Sequence, residues 1–394
     1  MIRNIKKLHV INRKGSPIHM RFVFDAGSRY GEKTGLAHFA EHMIIAGTKK
    51  FPSKDALVRF IDVTGGSVSC ATNQDYMYVK IEIAEMSDFP IALEVIDQMI
   101  NDSLFEEKSI ENERGAILTE IQIKRSKPDA YVSDLSRELL HQDTTLARST
   151  IGDEATVKSI TKEDLLKFKE KYIKLENATL IMAGDIDENI VRKNFQEIGI
   201  QSAPKPLPIH FNKKFLQEAT GSQHTYFLYG TRLPVLSLKE RAAVVLAITY
   251  LTADRSGKLF EELRYKKGFI YVLRAHVASL KDWAQIAISS STDSKNLDET
   301  VKIIEENIKK VCSDELPEDT LIYLKSKITK SYIINLQSSS ALVGYSEIGL
   351  MASDPYSIDK YLETMNRLTS SEVKEIFSQL VDTNNFCLTV LGGK

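Results

Sequence analysis

Cysteine is scarce in this chain, long apolar runs are missing, and charge of neither sign dominates. The three cysteines, Cys70, Cys312 and Cys387, lie far apart and show no Cys-x-x-Cys spacing. An odd, scattered set excludes a disulfide framework and fits a reducing compartment. No run reaches the ~18 apolar residues at which a spanning helix is expected, and no apolar signal segment opens the chain. We therefore expect no membrane contact and a cytoplasmic location. With 52 Lys+Arg against 53 Asp+Glu the formal net charge is −1, so the electrostatic footprint of a nucleic-acid binder is missing. A Gly-rich phosphate loop is also lacking.

What is present is a globular composition, 43% hydrophobic over 394 residues, enough for two or three domains. The first 24 residues carry no acid, but Leu8 and Val10, then Met20, Phe22 and Phe24, alternate around Lys14-Gly15-Ser16-Pro17. This pattern reads as a hairpin of the fold.

Two short matches point to a duplication. Ile160-Thr161-x-x-Asp164-Leu165 returns as Leu368-Thr369-x-x-Glu372-Val373, and Asn177 to Gly184 returns as Asn385 to Gly392, both at an offset of 208. Both first members read as Thr-x-x-acid helix starts. Between the copies, Pro204, Pro206 and Pro208 suit a stiff extended linker. The expected domains are 1–200 and 218–394, joined by a linker at 201–217. In the first copy the pattern predicts strands at 19–26, 67–84 and 178–183. Helices are predicted at 35–46, 53–63, 87–101, 106–125, 128–142 and 162–173. Hairpin-like strands with helices grouped between them predict α+β domains, each with a largely antiparallel sheet.

The sharpest local signal is Gly35-Leu36-Ala37-His38-Phe39-Ala40-Glu41-His42-Met43. It sets two imidazoles one helical turn apart on one face, a spacing that suits a single Zn2+. Glu41 stands where a carboxylate can act as general base on a water at that metal; the order is His-x-x-Glu-His, the reverse of the zincin motif. A third ligand must come from another element. Glu113 and Glu120 are seven apart, two helical turns, and share a face. Glu107 and Glu111 compete with them, and spacing alone leaves the choice open.

The stretch GLAHFAEHMIIAGT, with ENERGAILTEI placing Glu120 78 residues after His42, resembles the inverzincin metallopeptidases. These form the pitrilysin and insulinase family, which includes mitochondrial processing peptidase. The resemblance implies that His38, His42 and Glu120 bind zinc, that Glu41 activates water, and that Glu113 orients the ligands. In the second copy, Leu259 to Tyr271 resembles the family's substrate-contacting pair, with Arg264 and Tyr271 donating to the charge that develops on the scissile carbonyl. Taken alone, Arg264 reads as an exposed charge and Tyr271 as a buried aromatic.

After Gly65-Gly66 the family commonly has Asn-Ala-x-Thr, whereas this chain has Ser69-Cys70-Ala71-Thr72. Ser69, Cys70 and Ala71 are then the expected substrate-binding strand, which an extended peptide would join by edge addition. The resemblance further implies half of a clamshell. A chain carrying both motifs pairs most simply as a homodimer, the alternative being a heterodimer with a metal-free sister chain. The expected activity is zinc-dependent endopeptidase cleavage of unfolded peptides. The rivals are a non-catalytic scaffold subunit and a zinc-binding peptide carrier.

Overall fold

The chain is described from a computed structural model covering residues 2–199, 205–253 and 255–393. Period-2 burial marks its strands most clearly in Met77–Ile83, where buried and half-buried side chains alternate throughout. The first five-stranded sheet consists of β1 (Lys7–Asn12), β2 (Ile18–Phe24), β3 (Ser67–Thr72), β4 (Met77–Ile83) and β5 (Ala178–Gly184), in the spatial order β1-β5-β2-β4-β3. The second consists of β6 (Phe215–Glu218), β7 (His224–Leu233), β8 (Leu273–Ser279), β9 (Ala284–Asp293) and β10 (Cys387–Leu391), in the order β6-β10-β7-β9-β8. Adding five to each label of the first sheet gives the second. In each sheet only the pair β1/β5 or β6/β10 is parallel, and the other pairs are antiparallel.

The repeat seen in sequence is thus a repeat of topology, and its local devices recur with it. Thr161 with Asp164, and Thr369 with Glu372, form reciprocal capping boxes at matching helix starts. Gly184 and Gly392 both have positive φ. A side chain at either would meet a backbone carbonyl at the start of the neighbouring strand, that of Pro17 or His224, at 2.6 Å, so glycine is required twice for the same close approach.

One expectation is corrected. β1 and β2 do not form a hairpin, because β5 lies between them, parallel to β1 and antiparallel to β2. The turn is present, with Ser16 N–H donating to the Arg13 carbonyl at 3.2 Å, but it bridges over an inserted strand. β5 is buried along its whole length, as suits a central strand covered on both faces. Local alternation cannot announce a partner more than 150 residues away.

The helices that position the site are α1 (Leu36–Ala46), α2 (Lys54–Asp62), α3 (Phe89–Asn101) and α4 (Glu107–Arg125), followed by α5 (Pro128–Leu140). All five start and end within a few residues of the predicted spans. The chain divides into two compact units. One is Met1–Arg125, Arg148–Ser202 and Leu336–Glu347, and the other is Ser126–Ala147, Ala203–Asn335 and Ile348–Lys394. The units are therefore not contiguous in sequence. Leu139 and Leu140 of α5 bury with Leu228, Ala287 and Cys387 of the second sheet, while Glu347 accepts a 2.6 Å hydrogen bond from Arg21 of the first. Of the expected linker, residues 201–204 lie outside the described residues, and β6 begins within it at Phe215.

Candidate metal centre

Helix α1 is apolar nearly all round, with Leu36, Ala37, Phe39, Ala40, Met43, Ile44 and Ile45 all buried. Each fully buried large side chain contributes about 1.5–3 kcal/mol, so the helix is firmly anchored. Its polar residues are carried inside with it. His38 and Glu41 are buried and His42 is half-buried, so each needs a partner. At the helix start Gly35 has a left-handed backbone, and a Cβ there would meet Ile151 O and Gly152 Cα at 2.9 Å. Glycine lets that loop lie against the helix, which brings Thr150 and Ile151 to the rim of the site.

The two imidazoles pack edge to face, with ring centres 4.6 Å apart. Helix α4 runs beside α1 and presents both predicted acids to them, with different roles. The Glu113 carboxylate accepts from His42 Nδ1 at 2.8 Å, which leaves His42 Nε2 as the lone-pair nitrogen. Glu120 Oε2 stands 3.6 Å from His38 Nε2 and 3.9 Å from His42 Nε2. These separations are too long for hydrogen bonds. They approach the ~3.4 Å expected between ligands bound about 2.0–2.1 Å from one tetrahedral centre.

The donor atoms of His38, His42 and Glu120 all lie within 4.8 Å of one another, the one such cluster among the described residues. Two neutral nitrogens and a carboxylate form a donor set suited to zinc. Glu107 and Glu111 are elsewhere, Glu107 facing Lys162 and Glu111 paired with Arg114.

Electrostatics favour the same use. Burial, helped by the charges of His42 and Lys124, lowers His38 to about 3, so its imidazole is neutral and its lone pair available. Burial also opposes a charge on His42, but the hydrogen bond to Glu113 and the carboxylates of Glu41, Glu113 and Glu120 outweigh it and raise its pKa. A proton on Nε2 and a bound cation compete for the same lone pair. Accepting from His42 keeps Glu113 below the usual carboxylate range, although burial opposes this. Glu41 is raised by burial, partly offset by Thr72 Oγ1, which donates to its Oε2 at 2.8 Å. A raised carboxylate is a stronger base.

A cleft of about 440 Å³ opens over this cluster, walled by Cys70, Ala71 and Thr72 of β3, by Lys124 of α4 and by Thr150 and Ile151. Ser69 is exposed and is not one of the wall residues. β3 is the edge of its sheet, paired only to β4 among the described strands. Sequence reasoning missed the wall positions Thr72, Lys124, Thr150 and Ile151. Thr72 follows Cys70 by two along the strand and Lys124 follows Glu120 by one helical turn, so both were signalled by spacing; the loop residues carry no local signal.

In the other unit Arg264 and Tyr271 come together. The guanidinium carbon lies 4.7 Å from the Tyr271 ring centre, and Nη1 donates to the Ile270 carbonyl at 3.2 Å. Arg264 sits on a π-helical turn, Glu261–Lys266, a conformation frequent at functional sites. Tyr271 is 74% exposed, which corrects its reading as a buried aromatic.

Two like α+β units, with a His-x-x-Glu-His helix facing a glutamate-bearing helix, define the inverzincin class of metallopeptidases. The chain belongs to the insulinase family of peptidases, family M16. The model of that family matches residues 12–154, and the model of the peptidase M16 inactive domain matches residues 159–328. An uncharacterized zinc protease of Streptomyces coelicolor is 24% identical over 358 residues, 87% of this chain and 77% of its own length. The uncharacterized zinc protease YmxG of Bacillus subtilis is 22% identical over 379 residues, covering 93% and 90%. Among solved structures, a protease from Helicobacter pylori superposes with a TM-score of 0.87 at 19% identity, covering 100% of this chain and 98% of that one. A peptidase M16 inactive domain from Pseudomonas fluorescens gives the same TM-score at 17% identity, covering 99% and 96%. No helix among the described residues is long and apolar enough to cross a membrane.

Proposed function

We propose that the chain is a zinc-dependent endopeptidase acting on unfolded peptides, with His38, His42 and Glu120 as metal ligands and Glu41 as general base. One observation carries the reading: Glu120 Oε2 converges on the two Nε2 atoms of the His-x-x-Glu-His helix at 3.6 and 3.9 Å. Zinc, when bound, supplies a Lewis acid that polarises a peptide carbonyl and acidifies water. The chain's own groups do the rest. Glu41 takes the proton from the attacking water, and Thr72 holds the carboxylate in place for it. Glu113 fixes the ring of His42. The outer edge of β3, which pairs with no further strand among the described residues, offers N–H and C=O groups to an extended peptide, beside the cleft that Cys70 and Ala71 line. This requirement for a free backbone selects unfolded substrates.

Arg264 and Tyr271 we assign to the developing oxyanion, supplied by the second copy of a homodimer. Their mutual stacking and the exposure of Tyr271 support the assignment. The cytoplasm is the compartment that fits three free thiols.

The purified protein should bind about one zinc per chain and cleave an unstructured peptide. A chelator should stop cleavage and zinc should restore it. Bound zinc without cleavage of any unfolded peptide would favour a carrier, and absence of both would favour a scaffold. Thr72→Val tests the support of the base. A hydrogen bond to a charged group contributes about 1.5–3 kcal/mol, so kcat should fall by about tenfold or more with zinc content unchanged. A kcat within a factor of two of wild type would remove Thr72 from the mechanism.

A further inference from the structure

We infer that Arg114 is a positioning residue for the metal centre, fixing the axial register of α4 against α1 so that Glu120 meets both imidazoles. The inference rests on the zinc-peptidase reading. Arg114 follows Glu113 on α4, and its guanidinium spans three elements. Nη1 donates to the Val157 carbonyl, and Nη2 donates to the Ile160 carbonyl at 3.0 Å. Val157 lies in the helix Glu154–Ser159 and Ile160 is its C-cap, so the fork grips the C-terminal end of that helix, where backbone carbonyls are available to side-chain donors. The guanidinium carbon also lies 5.1 Å from the ring centre of Phe39, the fully buried neighbour of His38 on α1. On its outer side Nε donates to Glu111 at 3.2 Å. The Arg114 side chain is 13% exposed.

The need for such a strut follows from Glu120. Its side chain is 47% exposed, so its location is set by where α4 lies and not by packing around the carboxylate. Beside it on α4, Ile110, Ile117 and Ile121 are buried. The hydrophobic drive behind such contacts is non-directional, whereas a forked guanidinium on two carbonyls is directional. Arg114 and Glu120 are six residues apart, roughly 9 Å along the helix axis. A slide of α4 by even ~1 Å exceeds the ±0.2 Å or so that metal–ligand distances tolerate.

The experiment compares wild type with Arg114→Met, Arg114→Lys and Glu111→Gln. Three quantities are measured: zinc affinity by competition with a chelator, the visible absorption of the cobalt(II)-substituted protein, and the thermal midpoint of the metal-free protein. Arg114→Met should weaken zinc by about tenfold or more, the scale of lost outer-sphere support, and should shift the cobalt bands. Arg114→Lys, with one point donor in place of the fork, should fall between, and Glu111→Gln should match wild type. If Arg114→Met does not fold, Arg114→Lys is read by the same criteria. A merely structural Arg114 would lower the metal-free midpoint but leave zinc affinity and the cobalt bands within error of wild type; that result overturns the inference alone. A wild-type protein that takes up no zinc overturns the metal-centre reading and this inference with it.

Discussion

Changing Glu41 to Gln is expected to leave the zinc content of the protein unchanged and to lower kcat toward an unstructured peptide by about 10²–10⁴-fold, the range a positioned proton-transfer group contributes. Glu41 is not one of the three clustered donors, so on the proposed ligand set zinc binding does not depend on it. Glutamine has the same shape and its carbonyl can still accept from Thr72 Oγ1, which now stands 2.8 Å from the carboxylate. It has no basic oxygen to receive the proton of water. Zinc by elemental analysis together with peptide kinetics checks the result, and near-normal turnover would sink the proposed mechanism. The variant also tests the proposed homodimer. Mixed with Tyr271→Phe under free subunit exchange, about half the dimers are hybrid and each regains one of two sites, so activity should recover to roughly a quarter of wild type. No recovery after verified exchange would end the homodimer assignment.

Glu120→Ala is expected to abolish both zinc retention and hydrolysis. On the proposed ligand set it removes a direct ligand, so the loss of affinity should exceed the ~10–100-fold that outer-sphere changes produce. A half-exposed side chain outside the core has little effect on folding, within about ±0.5 kcal/mol, so the unfolding midpoint of the metal-free protein should stay near wild type. Glu113→Gln should be milder, because the amide carbonyl can still accept from His42 Nδ1. The contrast between the two variants, measured by zinc titration against a chelator, decides the third ligand. Full zinc occupancy in Glu120→Ala would move that role to another acid.

The local parts of this molecule were legible because they depend on spacing along one element. An α-helix repeats every 3.6 residues, so His38 and His42 had to share a face, and so did Glu113 and Glu120. The capping boxes at Thr161 and Thr369, an offset of 208 apart, marked the duplicated fold before any strand was placed. Family resemblance then supplied roles that spacing had left open among Glu107, Glu111, Glu113 and Glu120.

What only the tertiary structure decided is everything that depends on how elements cross. Glu113 reaches Nδ1 and Glu120 approaches both Nε2 atoms because α4 lies at one particular height beside α1. No periodicity encodes that height. The insertion of β5 between β1 and β2, the membership of α5 in the second unit and the bond from Thr72 to Glu41 have the same origin. The sequence alone determined which side chains share a face, since backbone geometry repeats within an element; packing between distant segments, driven by non-directional burial and locked by a few directional contacts, determined which faces meet.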